Sequence, residues 1–235
     1  MAPDRSIPAA RRRSPYDRGV DWHEWHDLYE NPQSWLGRRL TVVQERLRIA
    51  LDDAPPGQLR VISVCAGQGR DLLGVLPEHP RRADVWARLV ELDERNAAVA
   101  RAAAQAYGLD GVQVVVGDAA VTDHYQAYVP ADLVLLCGVF GNISDADVAN
   151  TVRHATQLCA TGGTVLWTRH RGEPDLFPQI GAWFEEQGFE PVFATDPAAG
   201  FGVGVHRHTR TPKPLVTGAR MFTFVGRDLF RDGIA

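Results

Sequence analysis

The chain has 235 residues and a formal net charge of −4 at pH 7, with 45% hydrophobic and 23% charged residues. This length suits one well-buried domain and is too short for two full-sized enzyme domains. The composition excludes disordered and fibrous proteins. With a negative net charge, the chain lacks the strong positive field with which proteins bind nucleic acid.

The N-terminal region is predicted to be an arm followed by helices. Residues 1–18 are rich in Pro, Arg and Ala without periodicity, which is typical of a flexible arm. Residues 19–58 contain two helical patterns, VDWHEWHDLYENP and PQSWLGRRLTVVQERLRIALDDAPPG. We predict an N-terminal helical cap there. Its aromatic helix either covers a ligand site or packs its side chains in the core.

Strand and helix patterns alternate over the remaining region, 59–235. The apolar runs RVISVCA, ARLVELD, VQVVVGD, ADLVLLCGVF and GGTVLWTRH are strand-like, and RDLLGVL, ERNAAVARAAAQAYG and DADVANTVRHATQLC are helix-like. Continuous apolar strands between helices predict an α/β domain whose mostly parallel sheet is covered by helices on both faces. After a further strand, EPVFATD, the segments GFGVGVHRHT and ARMFTFVGR alternate like a hairpin, so the sheet is predicted to finish antiparallel.

Two glycines follow the first predicted strand, in VISVCAGQGRDLLGVL. Gly67 and Gly69 would let backbone N–H groups approach a ligand closely, although a tight turn alone also explains them. A dinucleotide fingerprint does not fit, because Leu72 stands where the third glycine would be. A Walker loop does not fit either, because the only lysine, Lys213, lies in no such motif.

Three further features end the next three strands. Glu91 ends the second strand, Asp118 the third, and the small step Cys137-Gly138 the fourth. An acid after the second strand can accept hydrogen bonds from ribose hydroxyls, and one after the third can accept from an adenine amino group. Each alone is more often structural, for example as a helix N-cap, but together they lie in order along one sheet edge.

At this point the chain resembles the class I S-adenosylmethionine-dependent methyltransferases, through VISVCAGQGRD, VELDERN, VVGDAA and DLVLLCGVFGN. The resemblance implies a Rossmann-like, seven-stranded, mostly parallel sheet with an antiparallel C-terminal strand, and S-adenosyl-L-methionine as cofactor. The cofactor-binding residues that it implies are Tyr16, Cys65, Ala66, Gly67, Gly69, Arg70, Asp71, Glu91, Leu92, Asp118, Ala119, Cys137, Gly138 and Val139.

The resemblance also implies a role for each part of this set. The glycine loop would lie under the methionine part, with Arg70 or Asp71 holding its carboxylate or amino group. Glu91 would bind the ribose, Leu92 would pack on adenine, and Asp118 with Ala119 would bind the adenine edge. The residues from 137 to 139 would line the floor near the sulfonium. Tyr16 or Tyr29 could also bind the cofactor's carboxylate.

We predict methyl transfer to a small-molecule acceptor. The residues after the fourth strand, Cys137-Gly138-Val139-Phe140, differ from the Asn/Asp-Pro-Pro-aromatic motif of methyltransferases that modify amino groups of DNA and some proteins. Two alternatives stay open at this point. The chain could use the cofactor in another reaction, such as its cyclisation, or it could be a non-catalytic cofactor-binding regulatory protein.

Three residues are candidates for catalysis. His170, just beyond the fifth strand, is the preferred general base, and His26 and Tyr29 on the aromatic helix could cap the site. Positioning alone can lower the barrier of such a displacement by about 7–11 kcal/mol, so no base is obligatory. No set of metal ligands is recognisable, and we expect none.

The cysteines bear on the compartment. The chain has three cysteines, Cys65, Cys137 and Cys159, and each lies in a separate apolar run. An odd number of widely spaced cysteines is typical of reduced cytosolic thiols and not of a set of disulfides. No long apolar segment or signal-peptide pattern is recognisable. We therefore expect a cytoplasmic protein with a small-molecule substrate and neither a nucleic acid nor a membrane as partner.

Overall fold

The computed structural model describes Tyr29 and residues 31–225. Within them, seven strands form one sheet. The strands are β1 (Leu59–Val64), β2 (Val85–Glu91), β3 (Val112–Val116), β4 (Ala131–Leu136), β5 (Cys159–His170), β6 (Phe189–Ala194) and β7 (Phe201–His208). Their order across the sheet is β3-β2-β1-β4-β5-β7-β6.

The first five strands run parallel, and β7 is antiparallel to both of its neighbours, β5 and β6. The predicted seven-stranded, mostly parallel sheet with an antiparallel C-terminal strand is therefore confirmed. The chain order reverses between β1 and β4, and ligands of open α/β sheets bind outside the carboxyl ends of the strands at such a point.

Within the described residues, four α-helices cover the sheet. They are α1 (Trp35–Asp53), α2 (Glu94–Ala106), α3 (Asp145–Leu158) and α4 (Phe177–Glu186). Two begin at a serine whose side chain accepts a main-chain hydrogen bond, Ser34 from Gly37 and Ser144 from Asp147. Such capping satisfies donors that the first helical turn leaves unpaired.

The core has one layer on each face of the sheet, because side chains of a strand alternate between faces. On β1, Val61 packs with α1 and α2, while Ile62 packs with α3 and α4. The predicted helices on both faces are thus confirmed. Helix α1, which we predicted as part of an N-terminal cap, lies on the first face against β5 and β7.

One predicted helix is wrong. The pattern RDLLGVL predicts a helix over residues 70–76, but residues 70–75 form turns and Leu76 begins the short 3₁₀ helix Leu76–Glu78. Gly69 has a positive φ of 70°, Gly74 interrupts the run and Pro77 follows it. Too few uninterrupted helix-forming residues remain for a stable α-helix.

The predicted hairpin between residues 200–209 and 219–227 is also wrong. Both edges of β7 are already paired, with β5 on one side and β6 on the other, so β7 has no free edge for residues 219–227 to join. Residues 209–225, here called the C-terminal strap, make only two isolated bridges. These join Arg220 to Val121 and Phe224 to Ile143.

None of the helices in the part of the chain that the structure describes combines the length and the apolarity that crossing a bilayer requires. The aromatic segment before Tyr29, with Tyr16 and His26, lies outside the described residues. The predicted arm over 1–18 lies outside them as well. The boundaries predicted for the arm, the cap and the α/β region stay predictions.

Candidate functional site

The loop that follows β1 has an unusual backbone. Cys65, Gly67 and Gly69 all have positive φ angles, of 54°, 56° and 70°. A positive φ is common in glycine and uncommon in a residue with a side chain such as cysteine. A Cβ added to Gly69 would come within 2.8 Å of the Leu73 side chain. The loop therefore needs glycine there, and Ala66 anchors it by donating to the main-chain oxygen of Val90 on β2.

Glu91 joins this loop to the end of β2. Its carboxylate accepts main-chain hydrogen bonds from Gly67 at 2.8 Å and from Asp93 at 2.9 Å. The Glu91 side chain is buried, and burial raises the pKa of its carboxyl group. The two main-chain hydrogen bonds lower this pKa and so partly offset the effect of burial. Because an ionised carboxylate offers about four acceptor positions, both oxygens keep capacity for further donors.

The neighbouring acidic residue, Asp93, caps a helix. Asp93 is the N-cap of α2 and accepts the main-chain hydrogen bond of Arg95. The Arg95 guanidinium also bonds its carboxylate and holds the Asp93 pKa below its usual range. The helix cap is thus provided by Asp93, which leaves Glu91 for the loop and for a ligand.

A second polar cluster lies beside the same loop. Asp71 is buried, and burial raises the pKa of its carboxyl group. Hydrogen bonds from the main-chain N–H groups of Leu72 and of Asp71 itself, and the nearby charge of Arg39, act in the opposite direction. Arg39 on α1 is also buried and donates to the Tyr29 hydroxyl at 2.7 Å. Burial likewise raises the Tyr29 pKa, so the phenol stays protonated at neutral pH. An acid, a cation and a phenol therefore meet where β1 and β4 end.

Sequence reasoning did not select Arg39, although the sequence contained an indication of it. Leu36, Arg39, Val43 and Leu47 follow one another at spacings of three and four, which places them on one helix face. A charged residue within a buried stripe is uncommon unless it is paired. The other residue proposed for this end, Arg70, donates instead to the Gln68 side chain at 3.0 Å.

The side of the site next to β3 holds the residues predicted to contact adenine. Leu92 is 46% exposed, so its apolar side chain is free to pack against a ligand. Asp118 accepts from the Ala120 main chain at 3.0 Å, and its second oxygen lies 2.8 Å from the Arg220 guanidinium. Ala119 is buried, and its carbonyl accepts a hydrogen bond from the Tyr125 hydroxyl.

The loop after β4 leaves a space above Gly138. This glycine has a φ of 77°, and a Cβ added to it would meet no atom within 4 Å. Its N–H donates to the Thr168 hydroxyl, and its carbonyl accepts from Asn142, so the loop is fixed. Cys137 is half-buried, whereas the Val139 side chain is fully buried in the core, so Val139 can face a ligand only through its main chain.

His170 lies against this loop. A Cβ added to Gly141 would be 3.6 Å from the imidazole Cδ2. The Nδ1 atom accepts the main-chain N–H of Gly172 at 3.2 Å, so the neutral ring carries its proton on Nε2. Burial and the Arg169 charge lower the His170 pKa, against an opposing effect of Asp175. The imidazole is therefore neutral at pH 7 and presents an N–H group.

The described residues fit the cofactor that the resemblance implies. A buried carboxylate with spare acceptors suits a ribose, and an acid beside a cation suits the zwitterionic methionine end. An exposed leucine suits a purine face, and the open Gly138 leaves room for the methyl-bearing part. The predicted residues within the described part of the chain follow the carboxyl ends of β1 to β4, at one edge of the sheet: Cys65, Ala66, Gly67, Gly69, Arg70, Asp71, Glu91, Leu92, Asp118, Ala119, Cys137, Gly138 and Val139.

A family model described as "Putative methyltransferase" matches residues 25–181 of the chain. No curated protein matches the sequence. Several solved structures share its fold at low identity. One is an O-methyltransferase family protein from Burkholderia thailandensis, with a TM-score of 0.56 and 15% identity, where the match covers 83% of this chain and 65% of that one. The present chain thus spans less than two thirds of that protein.

Two further structures were solved with ligands. The 1,6-didemethyltoxoflavin-N1-methyltransferase of Burkholderia thailandensis, with bound 1,6-didemethyltoxoflavin and S-adenosylhomocysteine, matches with a TM-score of 0.60 and 17% identity over 80% of this chain and 84% of that one. Magnesium protoporphyrin IX methyltransferase from Synechocystis PCC 6803, with bound S-adenosylmethionine, matches with a TM-score of 0.58 and 13% identity. That match covers 82% of this chain and 100% of the other. At such identities the likeness shows the fold alone.

Proposed function

The chain belongs to the methyltransferase family whose model matches residues 25–181, and we propose that it transfers a methyl group from S-adenosyl-L-methionine to a small-molecule acceptor. The observation that carries this proposal is the Glu91 carboxylate. It is held by the main chain on both sides and keeps free acceptor positions where β1 and β2 end.

Each part of the cofactor has a proposed partner. Glu91 accepts from the ribose hydroxyls, and Leu92 packs on the adenine. At the other end, Arg39 pairs with the methionine carboxylate while Asp71 accepts from the amino group. Buried charge pairs of this kind favour a zwitterion over a ligand with a single charge.

When bound, the cofactor supplies an electrophilic methyl group on a sulfonium. The contribution of the protein is to hold the acceptor in line with this group and to exclude water, which can lower the barrier by about 7–11 kcal/mol. The open space above Gly138 supports placing the reacting end there, because no side chain obstructs it.

His170 stays our candidate residue at this end, in a changed role. A general base needs a free lone pair, but Nδ1 already accepts from Gly172 and Nε2 carries the proton. We therefore propose that His170 donates from Nε2 to an acceptor oxygen. Tyr29 is proposed to act through Arg39 at the methionine end, and His26 and Tyr16 keep their predicted roles near the site.

Three observations support a small acceptor and a cytoplasmic location. The loop after β4 lacks the Asn/Asp-Pro-Pro-aromatic motif. One structure of similar fold, a 1,6-didemethyltoxoflavin-N1-methyltransferase, was solved with bound 1,6-didemethyltoxoflavin and S-adenosylhomocysteine. All three cysteines are free thiols, which suits a reducing compartment.

Mass spectrometry of a cell extract incubated with the protein and S-adenosylmethionine tests the proposed reaction. A new species heavier by one CH₂ than a compound of the extract, with S-adenosylhomocysteine as the second product, is the expected result. Methylthioadenosine without a methylated compound would instead indicate a different reaction of the cofactor. Absence of any product from a protein that binds the cofactor would indicate a regulatory role.

A further inference from the structure

We propose, resting on the proposed function, that Arg220 of the C-terminal strap is a positioning residue that holds the Asp118 carboxylate as the acceptor for the adenine amino group. Arg220 lies far along the chain from the sequence motifs that predict the cofactor site. The ion pair and the way in which the strap is fixed carry the proposal.

The strap is fixed to the loop that contains Asp118. Met221 donates its main-chain N–H to the Ala120 carbonyl at 2.8 Å, and Thr122 donates to the Ala219 carbonyl at 3.1 Å. The Thr122 hydroxyl also donates to the Val216 carbonyl at 2.7 Å. Arg220 therefore lies between two residues whose main chains are bonded to the loop after β3.

The strap is fixed equally on its other side. Asn150 of α3 donates to the Met221 carbonyl at 2.8 Å, and the Val225 N–H donates to the Asn142 carbonyl at 3.0 Å. The Met221 and Phe222 side chains are fully buried. The strap thus spans the loops after β3 and β4, which are the two loops that flank the proposed adenine and sulfonium positions.

The ion pair orients a carboxylate that still faces open space. One Asp118 oxygen accepts from Ala120 and the other lies 2.8 Å from Arg220, so the plane of the carboxylate is defined by two contacts. The Asp118 side chain is 28% exposed and keeps unused acceptor positions. A carboxylate group can only accept hydrogen bonds.

An oriented carboxylate acceptor gives base specificity. It attracts the amino group of adenine and repels the carbonyl oxygen that replaces this group in hypoxanthine. Arg220 is therefore expected to affect the preference for adenine over hypoxanthine, which a purely structural contribution to the fold would leave unchanged. The opposite possibility is that Arg220 competes with adenine for Asp118, in which case its removal would tighten binding.

Calorimetry of the full chain with S-adenosylhomocysteine and with S-inosylhomocysteine separates these possibilities. The variants are Arg220→Ala, Arg220→Lys, Asp118→Asn and the double variant Arg220→Ala/Asp118→Asn. Lys213→Ala is the matched control, because it removes a cation from the same strap where the Lys213 main chain contacts the far end of α3, at Thr156. Thermal unfolding checks that each variant is folded.

We expect Arg220→Ala to raise the Kd for S-adenosylhomocysteine about threefold to tenfold, the range of one hydrogen-bonded contact, and to leave the Kd for the inosine compound within about twofold. Arg220→Lys recovers part of the loss, and Arg220→Ala adds little in the Asp118→Asn background. Should Arg220→Ala not fold, the comparison of Arg220→Lys with Lys213→Ala carries the test, with a smaller expected loss of preference for adenine.

An unchanged or tighter affinity of Arg220→Ala for S-adenosylhomocysteine overturns the proposal, and so does equal weakening of both compounds. Failure of the unaltered protein to bind S-adenosylhomocysteine at all would overturn the proposed function itself. The two failures are therefore distinguishable in the same titrations.

Discussion

The Glu91 carboxylate and the Gly67 amide are 24 positions apart in sequence and form a hydrogen bond of 2.8 Å. Gly67 can direct its N–H to Glu91 because its φ of 56° lies in the left-handed region, which costs glycine little. The same carboxylate accepts from Asp93, so one buried acid joins the loop after β1 to the start of the loop after β2. The geometry of the proposed ribose site therefore depends on Glu91 even before a ligand binds.

The first prediction concerns Arg39 and the methionine end. Arg39→Ala should weaken S-adenosylhomocysteine binding about tenfold or more, because a charge-assisted contact with the carboxylate is lost. Methylthioadenosine lacks the amino-acid end, so its affinity should hardly change. Calorimetry with both compounds measures the difference, and Arg38→Ala is the control, because Arg38 is the exposed neighbour on the same helix.

Two outcomes would contradict this role for Arg39. The variant could bind S-adenosylhomocysteine as tightly as the Arg38→Ala control, or it could lose affinity for both compounds to the same extent. Arg39→Lys distinguishes charge from geometry, since lysine keeps the charge and loses the planar group that pairs with a carboxylate through two bonds.

The second prediction concerns the space above Gly138. Gly138 and Gly162 have φ angles of 77° and 79°, and at both positions an added Cβ would meet no atom within 4 Å. Alanine at either position should therefore cost a similar amount of stability, about 1–2 kcal/mol from the left-handed backbone. Only Gly138→Ala should also lose S-adenosylhomocysteine affinity, by about tenfold, because its methyl group enters the proposed cofactor space.

Urea unfolding and calorimetry of these two variants test the second prediction together. Gly162 is a demanding control, since it lies near the start of β5, at the opposite edge of the sheet, and matches Gly138 in backbone and in open surroundings. Equal affinities of the two variants for S-adenosylhomocysteine would remove Gly138 from the site.

The third prediction concerns the protonation of His170. Its neutral form should carry the proton on Nε2, because Nδ1 accepts from Gly172. Burial and Arg169 disfavour the charged form, so the ring should take up its second proton only at a pH below the ordinary value of 6.5. Long-range proton–nitrogen NMR correlations report both the tautomer and the midpoint, and a spectrum of His170→Asn identifies the signals.

A neutral ring with its proton on Nδ1 would contradict the donor role and restore His170 as a candidate general base. A midpoint at or above 6.5 would contradict the expected effect of burial and Arg169 on the His170 pKa. With the proton on Nε2, both the neutral and the charged ring donate from that atom. The pH dependence of methyl transfer to an identified acceptor compound should therefore be the same on the acid side for the unaltered protein and for His170→Asn.

Much of the fold could be predicted from the sequence because strands and helices depend on local patterns. Continuous apolar runs identified the strands, and the acids and glycines at their ends identified Glu91, Asp118 and Gly138. The segment 70–76 resembles a helix because apolar residues recur there at helical spacing, although Gly74 and Pro77 disrupt a helix.

The parts that could not be predicted depend on contacts between distant segments. Arg220 reaches Asp118 because the strap after β7 runs across the loops after β3 and β4, where its main chain is hydrogen-bonded. The apolar residues of ARMFTFVGR resemble a strand, but the adjacent Met221 and Phe222 are both buried within the strap. Arg39 was missed because the role of a buried arginine depends on partners from other segments, here Tyr29 and Asp71.

The most direct test of the central claim is the affinity for S-adenosylhomocysteine of the unaltered protein, Glu91→Ala and Glu94→Ala. Glu94 is the matched control, because it is an exposed acid three residues later that pairs with Arg101. We predict measurable binding by the unaltered protein and by Glu94→Ala, and a loss of about tenfold or more in Glu91→Ala, from lost ribose contacts and a loosened loop. Binding by Glu91→Ala as tight as that of Glu94→Ala would contradict the cofactor site described for this chain.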